Sequence, residues 1–451
     1  MSKIGNIIGS LAQKAMSKKR GDMARYKYAK KIARNFDKSL DQLLADQFEN
    51  LRKIIRYAYK NCPWYRTHFA AVGYRPGDIK NFSDISRLPV LTKRDLRQNL
   101  DGLLSQAVPV QERAKSISGG TTGRPVSFYR EKRSQAYKRG IDLALFRHYG
   151  WKDGQWQGWL WAAPRDLDEP ETFTERIKNL LAERTYCLDA KHLSDESYET
   201  FVQDTIKYKP PVISAYPSLA YDLAERIEAG RVTPVRVPVV TVTAEPLYDF
   251  QREKIEKYLA DKVYDRYGSR EFGTAAFECD CKDGMHIFTE SVYIETLESE
   301  YADDNIGTIV VTDLLNHAMP LIRYRIGDFG RVEYKPCNCG LSSPRLFDVR
   351  GRETDIIWRP DGSGISGTML IGVITRFTID ANVQIVQNKL DEITVRVEGD
   401  PTDYSEEIEH MKKTLDDELG GIFNIVVEGV KEIKRAPSGK YRYIISEIKK
   451  P

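Results

Sequence analysis

Ser118-Gly-Gly-Thr-Thr-Gly-Arg-Pro125 is the stretch on which the fold turns. Three glycines let the backbone amides of such a loop approach a phosphate, and the Thr121 and Thr122 hydroxyls add donors. It is not a Walker A loop, because neither Gly119 nor Gly120 is followed five positions later by a glycine with Lys and a hydroxyl residue after it. Taken alone, the same composition suits a plain turn. What surrounds it separates the two readings. From about residue 115 to 345 helical stretches alternate with short β-rich runs such as Pro211-Val-Ile-Ser-Ala215 and Val237-Pro-Val-Val-Thr-Val-Thr243. That rhythm predicts an α/β domain with a substantially parallel sheet.

On the N-terminal side, residues 24 to 61 read as helical, with Leu40, Leu43, Leu44, Phe48, Leu51, Ile54 and Ile55 on one face and Pro63 ending the pattern. Ile4, Ile7, Ile8 and Leu11 repeat at helical spacing among Lys3, Lys14, Lys18, Lys19 and Arg20. Such a basic amphipathic segment suits an anionic membrane surface, a helix packed on its own domain or a frayed leader. It is not a signal peptide, since Asn6, Gly9 and Ser10 break the apolar stretch and the basic cluster follows it. On the C-terminal side the character changes near 350, where Arg350-Gly-Arg-Glu-Thr-Asp355 precedes a glycine-rich stretch. Beyond it come the β-like runs Asn382-Val-Gln-Ile-Val386, Glu392-Ile-Thr-Val-Arg396 and Asn424-Ile-Val-Val427, with a helix expected over 405 to 419. The expected organisation is a helical region over 1–114, an α/β core over 115–350 and a small C-terminal domain over 351–451.

The 451 residues are 41% hydrophobic and 30% charged, which suffices for a large core and excludes disorder throughout. A net charge of +4 over this length points to no nucleic-acid partner. No apolar run approaches the roughly 18 to 20 residues needed to span a bilayer. Six cysteines are too few for a disulfide-built scaffold of this size and suit metal binding in a reducing compartment, so a cytoplasmic location, with peripheral membrane contact as a side expectation, is predicted.

Further segments follow the loop in a fixed order. They are Ala244-Glu245-Pro246, Tyr267-Gly268-Ser269-Arg270-Glu271, Tyr324-Arg-Ile-Gly-Asp328, Gly351-Arg352 with Asp355, and Pro437-Ser-Gly-Lys440. The ordered set resembles the adenylate-forming superfamily of acyl-CoA synthetases, adenylation domains and luciferases. Tyr-Gly-Ser-Arg-Glu, the paired cysteines before Gly340 and Asn61-Cys-Pro-Trp-Tyr65 are similar to its phenylacetate-CoA ligase-like branch, including the group associated with capsular polysaccharide clusters.

The resemblance implies a large N-terminal domain and a small, mobile C-terminal α+β lid that turns about a hinge near Asp355. It implies two half-reactions: a carboxylate attacks the α-phosphate of ATP to give an acyl-adenylate and pyrophosphate, and CoA or another nucleophile then displaces AMP. Ser118, Gly119, Gly120, Thr121, Thr122, Gly123 and Arg124 would cover the phosphates. Ala244, Glu245 and Pro246 would line the adenine and Tyr267, in the segment through Gly268, Ser269 and Arg270, would stack on it. Glu271 is the expected Mg2+ ligand, a hard cation preferring carboxylate oxygen. Asp328 would accept from the ribose hydroxyls, Arg352 would sit near ribose and phosphate, and Lys440 would bridge carboxylate and α-phosphate during adenylation. No Ser/His/Asp triad is apparent, which suits a reaction run by positioning and charge stabilisation.

Cys279, His286, Cys337 and Cys339 suit a tetrahedral Cys3His zinc site, with Cys281 spare or in place of Cys279, and reduced loop cysteines without metal are the alternative. Trp161 and Tyr216, with Trp151, Trp156 and Trp159, suit either an acyl pocket for an aromatic or hydrophobic acid or ordinary core packing. After the hinge the chain reads Asp361-Gly-Ser-Gly-Ile-Ser-Gly-Thr368, a departure from the thioester-forming pattern. Three functions follow as expectations: transfer to CoA, transfer to an amine or hydroxyl acceptor or adenylylation of a cofactor, and a non-catalytic membrane scaffold.

Overall fold

The computed structural model describes residues 3–117, 126–161, 182–188, 193–298, 306–352, 356–361, 364–366, 370, 373–374, 379, 381–435 and 441–448. The chain divides into two compact units. The first comprises Met1–Glu295, Val310–Ile326 and Val332–Phe347, and the second comprises Thr296–Ile309, Gly327–Arg331 and Asp348–Pro451.

The first unit opens with four helices: α1 (Lys3–Arg20), α2 (Ala24–Asn35), α3 (Leu40–Asn61) and α4 (Pro63–Ala71). The pattern read as one helix over 24 to 61 is therefore two. Ser39 starts α3 with a reciprocal cap, its hydroxyl accepting from Gln42 N at 3.3 Å while Gln42 Oε1 accepts from Ser39 N at 3.1 Å. Pro63 ends α3 but also opens α4, at a position where its missing N–H costs nothing. Tyr65 on α4 is buried; its hydroxyl donates to the Pro320 carbonyl at 2.8 Å and accepts from Ile322 N at 3.0 Å, tying the helical region to the core.

Two short helices, α5 (Lys93–Gln98) and α6 (Leu100–Leu103), lead to the hairpin of β1 (Arg113–Ile117) and β2 (Ser127–Glu131), which pair from Arg113↔Glu131 to Ile117↔Ser127. Helix α7 (Lys132–His148) packs against α2 at Gly140, where a Cβ would lie 2.7 Å from Tyr28 Cβ.

The core alternates strand and helix: β3 (Gln157–Leu160), β4 (Thr185–Cys187), α8 (Asp195–Tyr208), β5 (Val212–Ala215), α9 (Pro217–Glu228), β6 (Val237–Thr243), α10 (Asp249–Tyr258) and β7 (Ala260–Ser269). The five strands are parallel in the order β4-β3-β5-β6-β7. β8 (Gly273–Glu278) and β9 (Met285–Ile287) extend the sheet antiparallel beyond β7. Parallel strands covered on both faces are apolar on both, and all four β5 residues are buried. Ile213, Val240 and Val242 face Phe201, Leu219 and Leu223 of α8 and α9. The alternate residues Val212 and Val239 join Ile141 and Leu145 of α7.

Strands β10 (Val292–Leu297), β11 (Gly307–Asp313), β12 (Tyr324–Glu333) and β13 (Arg345–Arg352) follow. The second unit holds the two-stranded β14 (Ile356–Trp358) and β15 (Gly364–Ser366), then β16 (Val383–Lys389), β17 (Glu392–Glu398), α11 (Ser405–Leu419), β18 (Asn424–Val430) and β19 (Ile444–Ser446). The last four strands form a sheet in the order β18-β17-β16-β19, with α11 as the crossover between parallel β17 and β18. Ile385, Ile393, Val395, Met411, Leu415 and Leu419 are fully buried. The Gln387 amide donates to the Trp358 carbonyl at 2.7 Å and accepts from Trp358 N at 2.8 Å, joining β14 to β16 through a side chain. The architecture is thus a helical region and α/β core followed by a smaller β-rich α+β region.

Candidate active site and metal centre

Parallel strands deliver their C-terminal residues to one edge of the sheet, the edge at which open α/β folds bind ligands. The register Ala215↔Val242 and Thr243↔Arg266 keeps the ends of β5, β6 and β7 together. Trp161 follows β3, Tyr216 follows β5, Ala244-Glu245-Pro246 follow β6, and Arg270-Glu271 follow β7. Sequence-predicted segments far apart along the chain therefore emerge at the same edge.

The backbone there is under strain. Ala244 adopts φ +78°, a left-handed conformation that costs a non-glycine residue about 1–2 kcal/mol. Glu245 Oε2 accepts from Ser218 N at 3.1 Å, bringing a carboxylate to the N-terminus of α9 and linking the ends of β5 and β6. The Tyr216 and Trp161 rings lie 4.5 Å apart at 50°, Tyr216 buried and Trp161 partly so. Trp151 and Trp156 are core residues, Trp156 stacking on Tyr208 at 3.7 Å.

The turn from β7 to β8 is tight. Ser269 Oγ accepts from Glu271 N at 3.2 Å and Phe272 N at 3.3 Å. Gly268 is required by close approach, since a Cβ there would lie 2.5 Å from the Gly273 carbonyl oxygen. Tyr267 is buried, its ring 6.3 Å from that of Phe272. Glu271 is buried as well, with Tyr324 donating to Oε1 at 3.3 Å.

Two cations that the sequence did not single out hold this turn. Lys138 of α7, itself buried, donates to the Glu271 carbonyl at 3.1 Å and pairs with buried Asp313 at 2.8 Å. Arg130 of β2 donates to the Arg270 carbonyl at 3.5 Å and to Ser116 Oγ at 2.8 Å. Burial, reinforced by the Arg270 and Arg139 cations, lowers the Arg130 pKa. No sequence pattern marks either residue, because each reads as one more basic residue on an amphipathic element.

Of the other predicted residues, Ser118 to Arg124, Asp355 and Lys440 lie outside the described residues. The segment 118–125 joins β1 to β2, whose pairing reaches Ile117↔Ser127. Asp328 is on β12 and Arg352 ends β13; both belong to the second unit.

Cys279, His286, Cys337 and Cys339 come together, their ligand atoms all within 4.8 Å of one another. Cys279 closely follows β8 and His286 lies in β9, flanked by Phe277 on one side and Arg345 of β13 on the other. A tetrahedron with bonds of about 2.3 Å to sulfur has an S···S edge of about 3.8 Å. The Cys279 and Cys337 sulfurs are 3.7 Å apart. His286 Nε2 is 3.3 Å from Cys339 Sγ, while Nδ1 is 3.0 Å from Ser343 Oγ, a partner that fixes the ring. Burial, then the Arg345 guanidinium, lower the His286 pKa to about 4, keeping the imidazole neutral as a ligand must be. Cys281 is exposed and stands outside the four. Three sulfurs and one nitrogen at these separations fit a zinc ion closed on all sides by protein.

Comparison with known proteins identifies the family. Residues 357–447 match the model of the CapK C-terminal domain. Phenylacetate-coenzyme A ligase of Pseudomonas putida is 30% identical over 342 residues, covering 71% of this chain and 72% of that protein. Protein CapK of Staphylococcus aureus is 25% identical over 456 residues, covering 98% of this chain and 97% of CapK. In fold, the crystal structure of 2-hydroxyisobutyryl-CoA ligase in the postadenylation state in complex with 2-HIB-AMP matches with a TM-score of 0.70 at 20% identity, covering 92% of this chain and 91% of that one. The chain belongs to the adenylate-forming superfamily, in its phenylacetate-CoA ligase and CapK-like branch.

Proposed function

We propose that the protein is an ATP-dependent, AMP-forming ligase that adenylates a carboxylic acid and transfers the acyl group to CoA. The observation that carries this reading is the convergence of Trp161, Tyr216, Ala244–Pro246 and Arg270–Glu271 at the carboxyl edge of adjacent parallel strands. Family membership supports the same chemistry. In this reading the segment 118–124 covers the phosphates, Ala244–Pro246 and Tyr267 receive the adenine, and Trp161 with Tyr216 frames the acyl group. Asp328 and Arg352 address ribose and phosphate, and Lys440 balances charge as the carboxylate oxygen attacks the α-phosphorus and pyrophosphate departs. Glu271 would hold Mg2+, which supplies charge neutralisation on the phosphates. Cys279, His286, Cys337 and Cys339 would hold zinc as a structural staple.

A second reading of the acceptor rests on the C-terminal region. The match to CapK spans 98% of this chain, whereas that to the Pseudomonas ligase spans 71%. The second unit also carries the CapK-type C-terminal domain and the atypical 361–368 sequence. The departure of 361–368 from the thioester-forming pattern leaves an amine or hydroxyl acceptor in place of CoA as the second reading. The deciding experiment is acid-dependent pyrophosphate release with Mg-ATP over aryl, fatty, hydroxy and amino acids, with and without CoA. Release with a thioester product supports the first reading and release without one the second. Absence of release with every acid rejects both.

A further inference from the structure

Helix α1 is amphipathic, but it turns its apolar side away from the protein. Gly9, Gln13 and Ser17 are buried, whereas Ile7, Ile8 and Leu11 are 60%, 50% and 63% exposed. At 100° per residue, Lys14, Ile7, Lys18, Leu11, Ala15, Ile8 and Lys19 fall in that order within an arc of about 140°, and every one of them is exposed. The inward face is built for close, polar contact. Gly154, at φ +88°, approaches so near that a Cβ would lie 2.0 Å from the Asn6 carbonyl oxygen, and its N–H donates to Gln13 Oε1 at 2.9 Å. Gly9 meets the Arg184 guanidinium, which also donates to the Gly154 carbonyl at 2.7 Å. The helix is therefore fixed with its aliphatic side chains outward.

Charge accompanies the apolar face. Residues 3–35 hold ten Lys and Arg against Asp22 alone, so with a total of +4 the rest of the chain carries −5. Asp22 is itself engaged by Arg139 at 2.8 Å and Arg25 at 3.7 Å. On α2, Lys27, Lys30, Lys31 and Arg34 are exposed.

We infer that the outward face of α1 docks on an anionic lipid bilayer, lying in the interface with Ile7, Ile8 and Leu11 among the acyl chains and the lysines at the headgroups. Aliphatic side chains flanked by lysines match that environment. A nucleic acid would use the charge but give the aliphatic residues no apolar environment, and a second copy would bring the same basic helices into repulsion. Among the described residues no helix is long and apolar enough to cross a membrane, so the contact is with a surface. The inference is independent of the proposed activity.

The test is flotation of the full-length protein with phosphatidylcholine vesicles and with vesicles containing about 30% phosphatidylglycerol. At about 50 mM salt, partitioning to the anionic vesicles should exceed that to the neutral ones at least tenfold, and about 500 mM salt should remove most of the difference. The doubles Lys14→Glu/Lys18→Glu and Ile7→Asn/Leu11→Asn should each lower anionic binding at least about tenfold, with circular dichroism and melting unchanged because the altered side chains are exposed. Leu11→Trp, which removes no anchor, should show a blue-shifted emission on adding anionic vesicles. Equal binding to both vesicle types, no binding at low salt, no response in the charge-reversed double, an unshifted emission from the Leu11→Trp variant, or a dimer abolished by the Asn double would each overturn the inference.

Discussion

Replacing Cys337 with Ser tests the proposed staple most directly, because the structure sets the size of the effect. Cys279 and Cys337 are 58 positions apart, and joining them through one ion closes that length of chain. The chain-entropy relation for a cross-link gives about 4 kcal/mol for such a loop at 25 °C. In the first unit, roughly 330 residues long, the unfolding entropy is about 0.7 kcal/mol/K, so the loss amounts to about 6 °C in Tm. The assay is metal content by mass spectrometry together with Tm with and without a strong chelator. Wild type should hold about one zinc per chain and lose stability on prolonged chelation. Cys337→Ser should lack the zinc, melt about 6 °C lower, and show no further response to the chelator. Cys281→Ser should keep the metal, since Cys279, His286, Cys337 and Cys339 already supply four ligands. Metal-free wild type whose Tm is unmoved by either chelator or Cys337→Ser would refute the reasoning.

Lys440→Ala should cut acid-dependent pyrophosphate release about 100-fold while ATP retention, read by equilibrium dialysis, stays near wild type; undiminished release rejects its role. Glu271→Gln keeps the shape but removes the charge, and should shift the Mg2+ requirement upward with a similar loss of release, whereas Tyr324→Phe, which removes the 3.3 Å contact, should cost less than about tenfold. Ala244→Gly relieves the φ +78° strain and should match or exceed wild-type stability by up to about 1 kcal/mol in urea unfolding, while Ala244→Val should fall below it. Burial, then the neighbouring Glu278 carboxylate, push the Asp265 carboxyl up to about 7. Its folded pKa lies above the unfolded value, so the associated stability is present in full below about pH 4 and is lost as pH rises through about 7. The urea midpoint should therefore drop between about pH 5.5 and 8.5 in wild type, and drop less in Asp265→Asn.

Elements set by a single local pattern are legible in the sequence. Val237–Thr243 and Ser405–Leu419 agree with it to the residue, one as an unbroken β-rich run and the other as a charged helix with buried Ile408, Met411, Leu415 and Leu419. The break between α2 and α3 is hidden because apolar spacing runs on across it, although Ser39-x-x-Gln42 carries the cap signature. The dual role of Pro63 is hidden for the converse reason: proline excludes a helix interior but favours a first turn. At the edge of the parallel sheet, Ala244–Pro246 and Arg270–Glu271 are legible in the sequence because each follows a β-rich run, and a parallel sheet sends such strand ends to one edge. Lys138 and Arg130 are not, since their role comes from tertiary contacts with the backbone of Glu271 and Arg270. Periodicity likewise shows that α1 has an apolar face but not that this face points outward, which depends on Gly154 and Arg184 more than a hundred positions away.

The two units divide the predicted chemistry unequally. Trp161, Tyr216, Ala244–Pro246, Tyr267 and Glu271 belong to the first unit, whereas Asp328, Arg352 and Lys440 belong to the second. In the proposed function, carboxylate and nucleotide selection therefore rests chiefly on strand ends fixed by a continuous parallel sheet, where Gly268, Ser269 and Lys138 leave little room for change. The segment that departs from the thioester-forming pattern, 361–368, lies in the second unit, as does the CapK-type region 357–447. Under the second acceptor reading, substitution there would redirect the activated acyl group. An anionic membrane beneath α1 would make lipid-linked hydroxyl or amine acceptors available to such an enzyme, and this gives the second acceptor reading a physical route that a freely diffusing thiol does not require.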